Sequence, residues 1–500
     1  MSFNEIIALM PGIINFTNFV YIFLGMFAGI IIGAIPGMGA AMAISLLLPF
    51  TFRMEAVPAV LLLLAIYCGV SYGGSIGSIL IGAPGTPSAV ATMFDGYPLM
   101  KKGKAGLALD MALKASFFGG IVSNFLLLFI APQLAKVALA LGPAEYFALG
   151  VFGLTVIVGL GGKNVFKGLL MGLCGLLLST VGFDLITVAK RFTFGTLQLQ
   201  SGIDRASLMI GVYAVVELMR KLLNPNDVAQ DKTSLKMERL TFKQYISHWK
   251  TLVRSSILGS FIGAMPGMGG GTASLLAYNE ARKASKHPET YGEGELDGVC
   301  AAECANNAVT GSALIPMLTL GIPGDMVTAV MMGALVIQGI IPGPRLFVEH
   351  TEWVYAIMIG LLIVNVVMLI MGASCIGLFA KISAVKDEIL VPVVLVVCII
   401  GVFAQGEMTY YSLTVVVGSV VGYILSKNGF SLSPLIIGIV LGEIVEENMR
   451  RALMLSQGSI SIFVKSPVCM VLLTLAVGSL FMPVIKKQWA KKKAAKAETK

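Results

Sequence analysis

The sequence predicts an all-α, polytopic integral membrane protein of about 11–12 transmembrane helices, with two inverted-topology repeats whose helices are interrupted at Pro-Gly. Three observations carry that prediction: a composition too apolar for water, apolar runs of membrane-spanning length, and a Gly- and Pro-rich motif that occurs twice.

Of 500 residues, 56% are hydrophobic and 13% charged, about half the charged fraction of an ordinary soluble domain. The surplus apolar surface must face lipid. Apolar runs recur at 16–35, 59–81, 115–131, 354–376, 389–404 and 467–485, several of them long enough to cross hydrocarbon. A backbone in lipid has to satisfy its own hydrogen bonds, in a helix or a closed barrel. Barrel strands alternate apolar and polar residues, whereas these runs are continuous, so helices are expected. Residues 1–9 lack the basic region of a cleavable signal peptide, and the first apolar segment is expected to be retained. Cys68, Cys174, Cys300, Cys304, Cys375, Cys398 and Cys469 lie mostly in apolar segments without ligand spacing and read as packing residues.

The net charge of +9 is localised. Seven lysines crowd the tail 486–500, and eight Lys or Arg fall from Arg220 to Arg254 against Asp227, Asp231 and Glu238. Basic clusters beside apolar spans are cytoplasmic anchors, so the expected partner is the lipid bilayer and no nucleic acid is expected.

The duplication is the most specific signal. Gly33-Ala34-Ile35-Pro36-Gly37-Met38-Gly39 returns as Gly263-Ala264-Met265-Pro266-Gly267-Met268-Gly269, with six of seven positions identical. Gly82-Ala83-Pro84-Gly85-Thr86 follows the first copy and Gly321-Ile322-Pro323-Gly324-Asp325 the second, in the same order. The chain therefore divides into an N-terminal half, 1–222, holding repeat one at about 20–135, and a basic connector at 223–250. A C-terminal half, 251–485, holds repeat two at about 250–380, and a basic cytoplasmic tail covers 486–500. Charge sets orientation crudely. With the connector cytoplasmic, the helix ending at Pro266-Gly267 leads outward, and the following loop, where Glu280, Glu289, Glu293, Glu295 and Asp297 outnumber Arg282, Lys283 and Lys286, is expected on the outer side. Lys101, Lys102 and Lys104 mark another cytoplasmic loop.

Pro-Gly inside an apolar helix frees backbone donors and acceptors at membrane depth, tolerated only where buried in protein or lining a wet cavity. Half-helices beginning after Pro36, Gly37, Met38 and Gly39, and after Pro266, Gly267, Met268, Gly269 and Gly270, would present unpaired N–H groups to an anion such as a carboxylate. Ser45, Thr86, Ser88, Thr272 and Ser274 would add hydroxyl donors. Tight helix packing is the alternative use of such glycines. Glu303, Asn306 and Asn307, followed by Thr310 and Ser312, place polar groups inside an apolar stretch, which marks candidates for holding a coupling ion, Na⁺ or H⁺. Asp325 joins that group or else caps its helix, as Thr86 would in the first repeat. Glu443, Glu446 and Glu447 are expected to pair with Arg450 and Arg451. His248, His287 and His350 form no metal constellation, no phosphate-cradling G-x-x-x-x-G-K-[ST] loop occurs, and no catalytic residues or cofactors are expected.

The paired Pro-Gly-Met-Gly motifs, with Gly321-Ile322-Pro323-Gly324 and Gly339-Ile340-Ile341-Pro342-Gly343-Pro344, resemble the large membrane subunit of the tripartite tricarboxylate transporter family, over about residues 15–485. The resemblance implies a bacterial inner-membrane secondary transporter, driven by a Na⁺ or H⁺ gradient. It also implies a small membrane subunit, an extracytoplasmic solute-binding protein that delivers citrate or a related di- or tricarboxylate, and an elevator-like movement. A carboxylate channel and, further off, a membrane-embedded enzyme are the alternatives.

Overall fold

The structure, a computed structural model, describes residues 10–160, 165–184, 186–223, 238–382, 392, 395–396 and 408–480. Half of the connector (224–237), most of the apolar run at 389–404 and the basic tail lie outside the described residues.

The described chain is helical apart from one two-residue antiparallel ladder, Gly182–Phe183 with Lys190–Arg191. The first five helices are α1 (Phe16–Ala34), α2 (Ala40–Thr51), α3 (Ala56–Leu80), α4 (Val90–Lys101) and α5 (Ala105–Leu139). Helices α6 (Pro143–Leu160) and α7 (Val165–Ser179) follow. After the ladder, α8 (Arg205–Met209) runs through a π-helical stretch, Ile210–Val215, into α9 (Val216–Leu223). Beyond the connector come α10 (Phe242–Ser247), α11 (Trp249–Gly263), α12 (Gly269–Ala284), α13 (Leu296–Ser312), α14 (Leu314–Leu320), α15 (Met326–Ile337), α16 (Leu346–Glu349) and α17 (Thr351–Ile382). The last long helices are α18 (Met408–Lys427) and α19 (Ser433–Leu455). Among the described residues, α1, α3, α5 and the Thr351–Cys375 part of α17 are long and apolar enough to cross a membrane.

Glycine decides how these helices meet. A Cβ added at Gly25, Gly29 or Gly33 would lie 2.6, 2.7 or 2.5 Å from the carbonyl oxygens of Leu62, Ile66 and Val70, so α1 and α3 touch backbone to backbone. The contacts advance together along both helices, which therefore run in the same direction. The same arrangement joins α11 to α13, where a Cβ at Gly259 would lie 2.5 Å from the Ala305 carbonyl oxygen and one at Gly263 would lie 2.9 Å from Val309 Cα. Gly29 and Gly33 precede the first break at the spacing by which Gly259 and Gly263 precede the second.

Loop contacts correct the charge-based orientation. Lys102 Nζ donates to the Glu293 carbonyl oxygen at 2.5 Å, and Asp95 Oδ1 accepts the amides of Gly292, Gly294 and Glu295, each at 2.8 Å. Asp297, at the start of α13, meets His248 Nδ1 at 2.7 Å and accepts Thr251 Oγ1 at 2.9 Å. The acidic loop thus shares one end of the molecule with Lys102 and with the start of α11. Helices α11 and α12 form a hairpin, so the loop returns to the end from which α11 set out. Two of its acids, Glu295 and Asp297, face partners within the protein rather than reporting a side of the membrane. At the opposite end Gln338 Nε2 donates to the Thr51 carbonyl oxygen at 2.5 Å.

Helices α6–α9, α18 and α19 form a second bundle, closed by glycine contacts such as Gly211 against the Val415 carbonyl oxygen at 2.6 Å. Its end carries an ionic cluster. Arg450 and Arg191 both pair with Asp184 and with Glu446, Arg205 pairs with Glu443, and Arg451 with Glu447. Glu446 and Glu447 pair with Arg450 and Arg451 within α19 as expected, whereas Glu443 takes its partner, Arg205, from outside the helix. The Thr187 amide, 2.7 Å from Asp184 Oδ1, and then the Arg450 guanidinium hold the Asp184 carboxyl well below the usual carboxylate range. A depressed folded pKa adds stability above the ordinary carboxyl value and loses it as pH falls through the lower folded value. Asp184→Asn should therefore lower the melting temperature at neutral pH, and the gap to the native chain should close in acid. A gap independent of pH in a detergent melt would contradict this assignment.

Candidate functional site

Residues 35–39 and 264–268 are non-helical and separate α1 from α2 and α11 from α12. Each break turns on a glycine in the left-handed region, Gly37 at φ 77° and Gly267 at φ 85°, where a side chain is strained. Each is tied to the tip that follows later in its own repeat. The Gly37 amide donates to the Pro84 carbonyl oxygen at 3.4 Å and the Gly267 amide to that of Gly324 at 2.6 Å. Gly82 and Gly321, which open the two tips, have φ of 68° and 69°. The copies differ at their last glycine: Gly39 N-caps α2 at φ −70°, whereas Gly269 begins α12 at φ 60°.

The first tip lies between the two breaks. Pro84 accepts from Gly37 on one side. On the other, Ser274 Oγ donates to the Ser88 carbonyl oxygen at 2.7 Å, and a Cβ at Gly270 would lie 3.1 Å from Ser88 Cβ. Gly37, Gly39, Thr86 and Pro87 line a cavity of about 510 Å³ whose other walls come from the π-helical stretch, α9 and the start of α19, with Met326 from the second repeat. None of 266–270 is on that wall. The π-helical turn places Val212 and Tyr213 against the half-helix α2, and local π geometry of this kind is frequent at functional sites.

Several expected donors are engaged elsewhere. Ser45 Oγ donates to the Ala41 carbonyl oxygen, Thr310 Oγ1 to that of Asn307 and Ser312 Oγ to that of Ala308, at 2.8, 2.7 and 2.8 Å. Thr272 is exposed, and the Met38 side chain is buried in the core. Thr86 precedes its short 3₁₀ turn without a side-chain cap, its hydroxyl lying 2.9 Å from that of Ser88. Asp325 does cap α15, in a reciprocal box with Thr328, and its other oxygen accepts the Tyr67 hydroxyl at 3.0 Å.

Glu303 is fully buried in α13. Its carboxylate accepts the hydroxyls of Thr92 and, at 3.2 Å, Ser116, both from the first repeat. Asn307 Nδ2 donates to the same Ser116 hydroxyl at 2.7 Å, and Asn306 Nδ2 to the Ser71 carbonyl oxygen at 3.0 Å. Among the described residues nothing donates to Asn307 Oδ1. Thr92, Ser116, Tyr67 and the cavity residues Tyr213 and Arg220 were not singled out from sequence. Each is a lone polar residue brought in from far along the chain, and only Arg220 stood out there, as one of a basic cluster.

A family model described as the tripartite tricarboxylate transporter TctA family matches residues 19–437. An uncharacterized 52.8 kDa protein in the TAR-I ttuC' 3' region of Agrobacterium vitis is 37% identical over 468 residues, 94% of this chain and 93% of that protein. An uncharacterized protein in the TAR-II ttuC' 3' region of the same organism is 33% identical over 227 residues, 45% of this chain and 94% of its own length. No solved structure matches the chain.

Proposed function

This chain belongs to the tripartite tricarboxylate transporter TctA family, and from that premise we propose that it is the large transmembrane subunit of a binding-protein-dependent importer. It takes citrate or another di- or tricarboxylate across a bacterial inner membrane, using a Na⁺ or H⁺ gradient. A small membrane subunit and an extracytoplasmic solute-binding protein complete the system. The observation that carries the reading is the cavity beneath the first break. Gly37 and Gly39 stand on its wall, and α2 starts there with no side-chain cap on its first-turn amides. An uncapped helix start carries a partial positive charge that suits a carboxylate.

The two repeats are inverted with respect to one another in this reading. Support comes from the loop contacts: α11 starts at the end that carries Lys102, while the first repeat's Thr51 loop meets Gln338 at the other end. The long helices, together with the shorter apolar helices between them, make up the 11–12 spans. The coupling ion sits at Glu303, where a buried carboxylate meets the Thr92 and Ser116 hydroxyls and, among the described residues, the neighbouring Asn307 Oδ1 has no donor. Such a group is stabilised by a cation or a proton. Asn306 and Asp325 border this region, and the core built from the two repeats moves, elevator-like, against the second bundle as the cavity changes sides.

Thermal stabilisation of the purified chain across a panel of carboxylates, with and without Na⁺, tests substrate class and ion together. Gly37→Leu and Gly267→Leu, which force side chains into left-handed positions at the breaks, should each abolish uptake in proteoliposomes while the protein still inserts. Normal uptake by both variants would sink the proposal, and flux without counterflow would indicate a channel instead.

A further inference from the structure

Helix α11 turns one face away from the protein. Its opposite side packs on α5, α12 and α13, while Val253, Ile257 and Phe261 stand exposed in a row along a shallow groove of about 630 Å³. Trp249, Lys250 and Arg254 form the head of that groove. From Trp249 to Phe261 the helix rises about 18 Å at about 1.5 Å per residue, close to the depth of one leaflet of a hydrocarbon core about 30 Å thick. The groove is basic and aromatic at one end and apolar for the rest of its length.

General anchoring asks only that a basic side chain reach the headgroups, and Arg254 is held more closely than that. Its Nε is buried and, among the described residues, meets no acceptor. A buried donor left unsatisfied is costly, the more so on a charged group. Lys250, one helical turn earlier, lies with its Nζ 5.9 Å from the centre of the Trp249 ring. Neither α10 nor α11 contains an acidic residue that could pair with either cation. Just before the groove, α10 exposes Phe242 and Ile246 beside Lys243, as a segment lying in the membrane interface does.

A phospholipid completes both ends of this arrangement, with phosphate oxygens for the two cations and an acyl chain for the apolar row. The connector that leads into α10 puts this end on the cytoplasmic side in the proposed topology, where anionic lipids attract basic segments. We infer that the outer face of α11 binds one anionic phospholipid, its phosphate held by Lys250 and Arg254 and one acyl chain lying along Val253, Ile257 and Phe261. The lipid thus covers the helix that ends at the second break, whatever solute the chain carries.

Trp249 is itself the reporter. In a full-length chain carrying Trp353→Phe and Trp489→Phe it is the one tryptophan left. That chain is placed in vesicles of mixed phosphatidylglycerol and phosphatidylcholine, with bromine on the acyl chains of one lipid or the other. Brominated phosphatidylglycerol should quench Trp249 with a preference of about 5- to 25-fold over brominated phosphatidylcholine, each basic residue near an anionic surface being worth about 5-fold in association. Lys250→Gln and Arg254→Gln should each lower that preference about 5-fold or to parity, and the double variant should show none. Equal quenching by the two lipids in the parent chain overturns the inference, and so does a preference that survives in the double variant. No quenching by either lipid would mean that protein, a partner subunit or a second copy, covers the face, and overturns it as well. Should the double variant fail to fold, an unchanged preference in both single variants overturns the inference equally.

Discussion

Glu303→Gln is expected to abolish gradient-driven accumulation of carboxylate while leaving the chain folded and inserted. The amide keeps the shape of the side chain, and its oxygen can still accept one of the Thr92 and Ser116 hydroxyls while its NH2 donates to the oxygen of the other. What it removes is the charge, and with it the site where a proton or Na⁺ would be held at membrane depth. A coupling free energy is commonly about 1–3 kcal/mol, so accumulation against a gradient should fall by about 5- to 150-fold. Counterflow, which needs no net driving ion, should survive in part. Glu303→Ala is the harsher change, because two buried hydroxyls lose their acceptor at about 1–3 kcal/mol each. Undiminished accumulation by Glu303→Gln would exclude this carboxylate from coupling.

The largest effect on stability is expected at Gly85. A Cβ there would fall on the Gly33 carbonyl oxygen, and Gly33 is itself pressed against the Val70 backbone. Neither neighbour is a flexible side-chain end that can step aside. Gly85→Ala should cost on the order of 3 kcal/mol or more, in the range of severe overpacking, read as loss of the folded peak in detergent. Gly39→Ala is the matched control. Its φ is ordinary and nothing lies within 4 Å of the added Cβ, so it should fold normally and report only on the cavity. A Gly85→Ala chain as stable as Gly39→Ala would show that the tip and the first helix do not meet as closely as described.

Much of this was legible in the sequence, for identifiable reasons. Composition called for a membrane and the continuity of the apolar runs for helices, and the family followed from the paired Pro-Gly motifs. The duplicated Pro-Gly-Met-Gly located both interruptions because the left-handed turns at Gly37 and Gly267 demand the same residue in each copy. The partners of those motifs were not legible. Thr92 and Ser116 belong to helices without any motif, and they reach Glu303 across 211 and 187 positions of sequence. The side assigned to the acidic loop was misread because charge was counted without knowing that α12 doubles back, which brings Asp297 to His248. Arg220 was visible but absorbed into a basic cluster.

The exchange of polar partners between the repeats has a consequence for how the chain must be made. The first repeat supplies the Thr92 and Ser116 hydroxyls that Glu303 accepts, and the second supplies the three amides that Asp95 Oδ1 accepts. The first repeat emerges with Asp95, buried in the folded chain, and its three amide partners still to be synthesised, whereas Glu303 meets hydroxyls that are already made. The early segment must therefore wait, incompletely buried and open to quality control, until its later counterpart emerges and each closes the other.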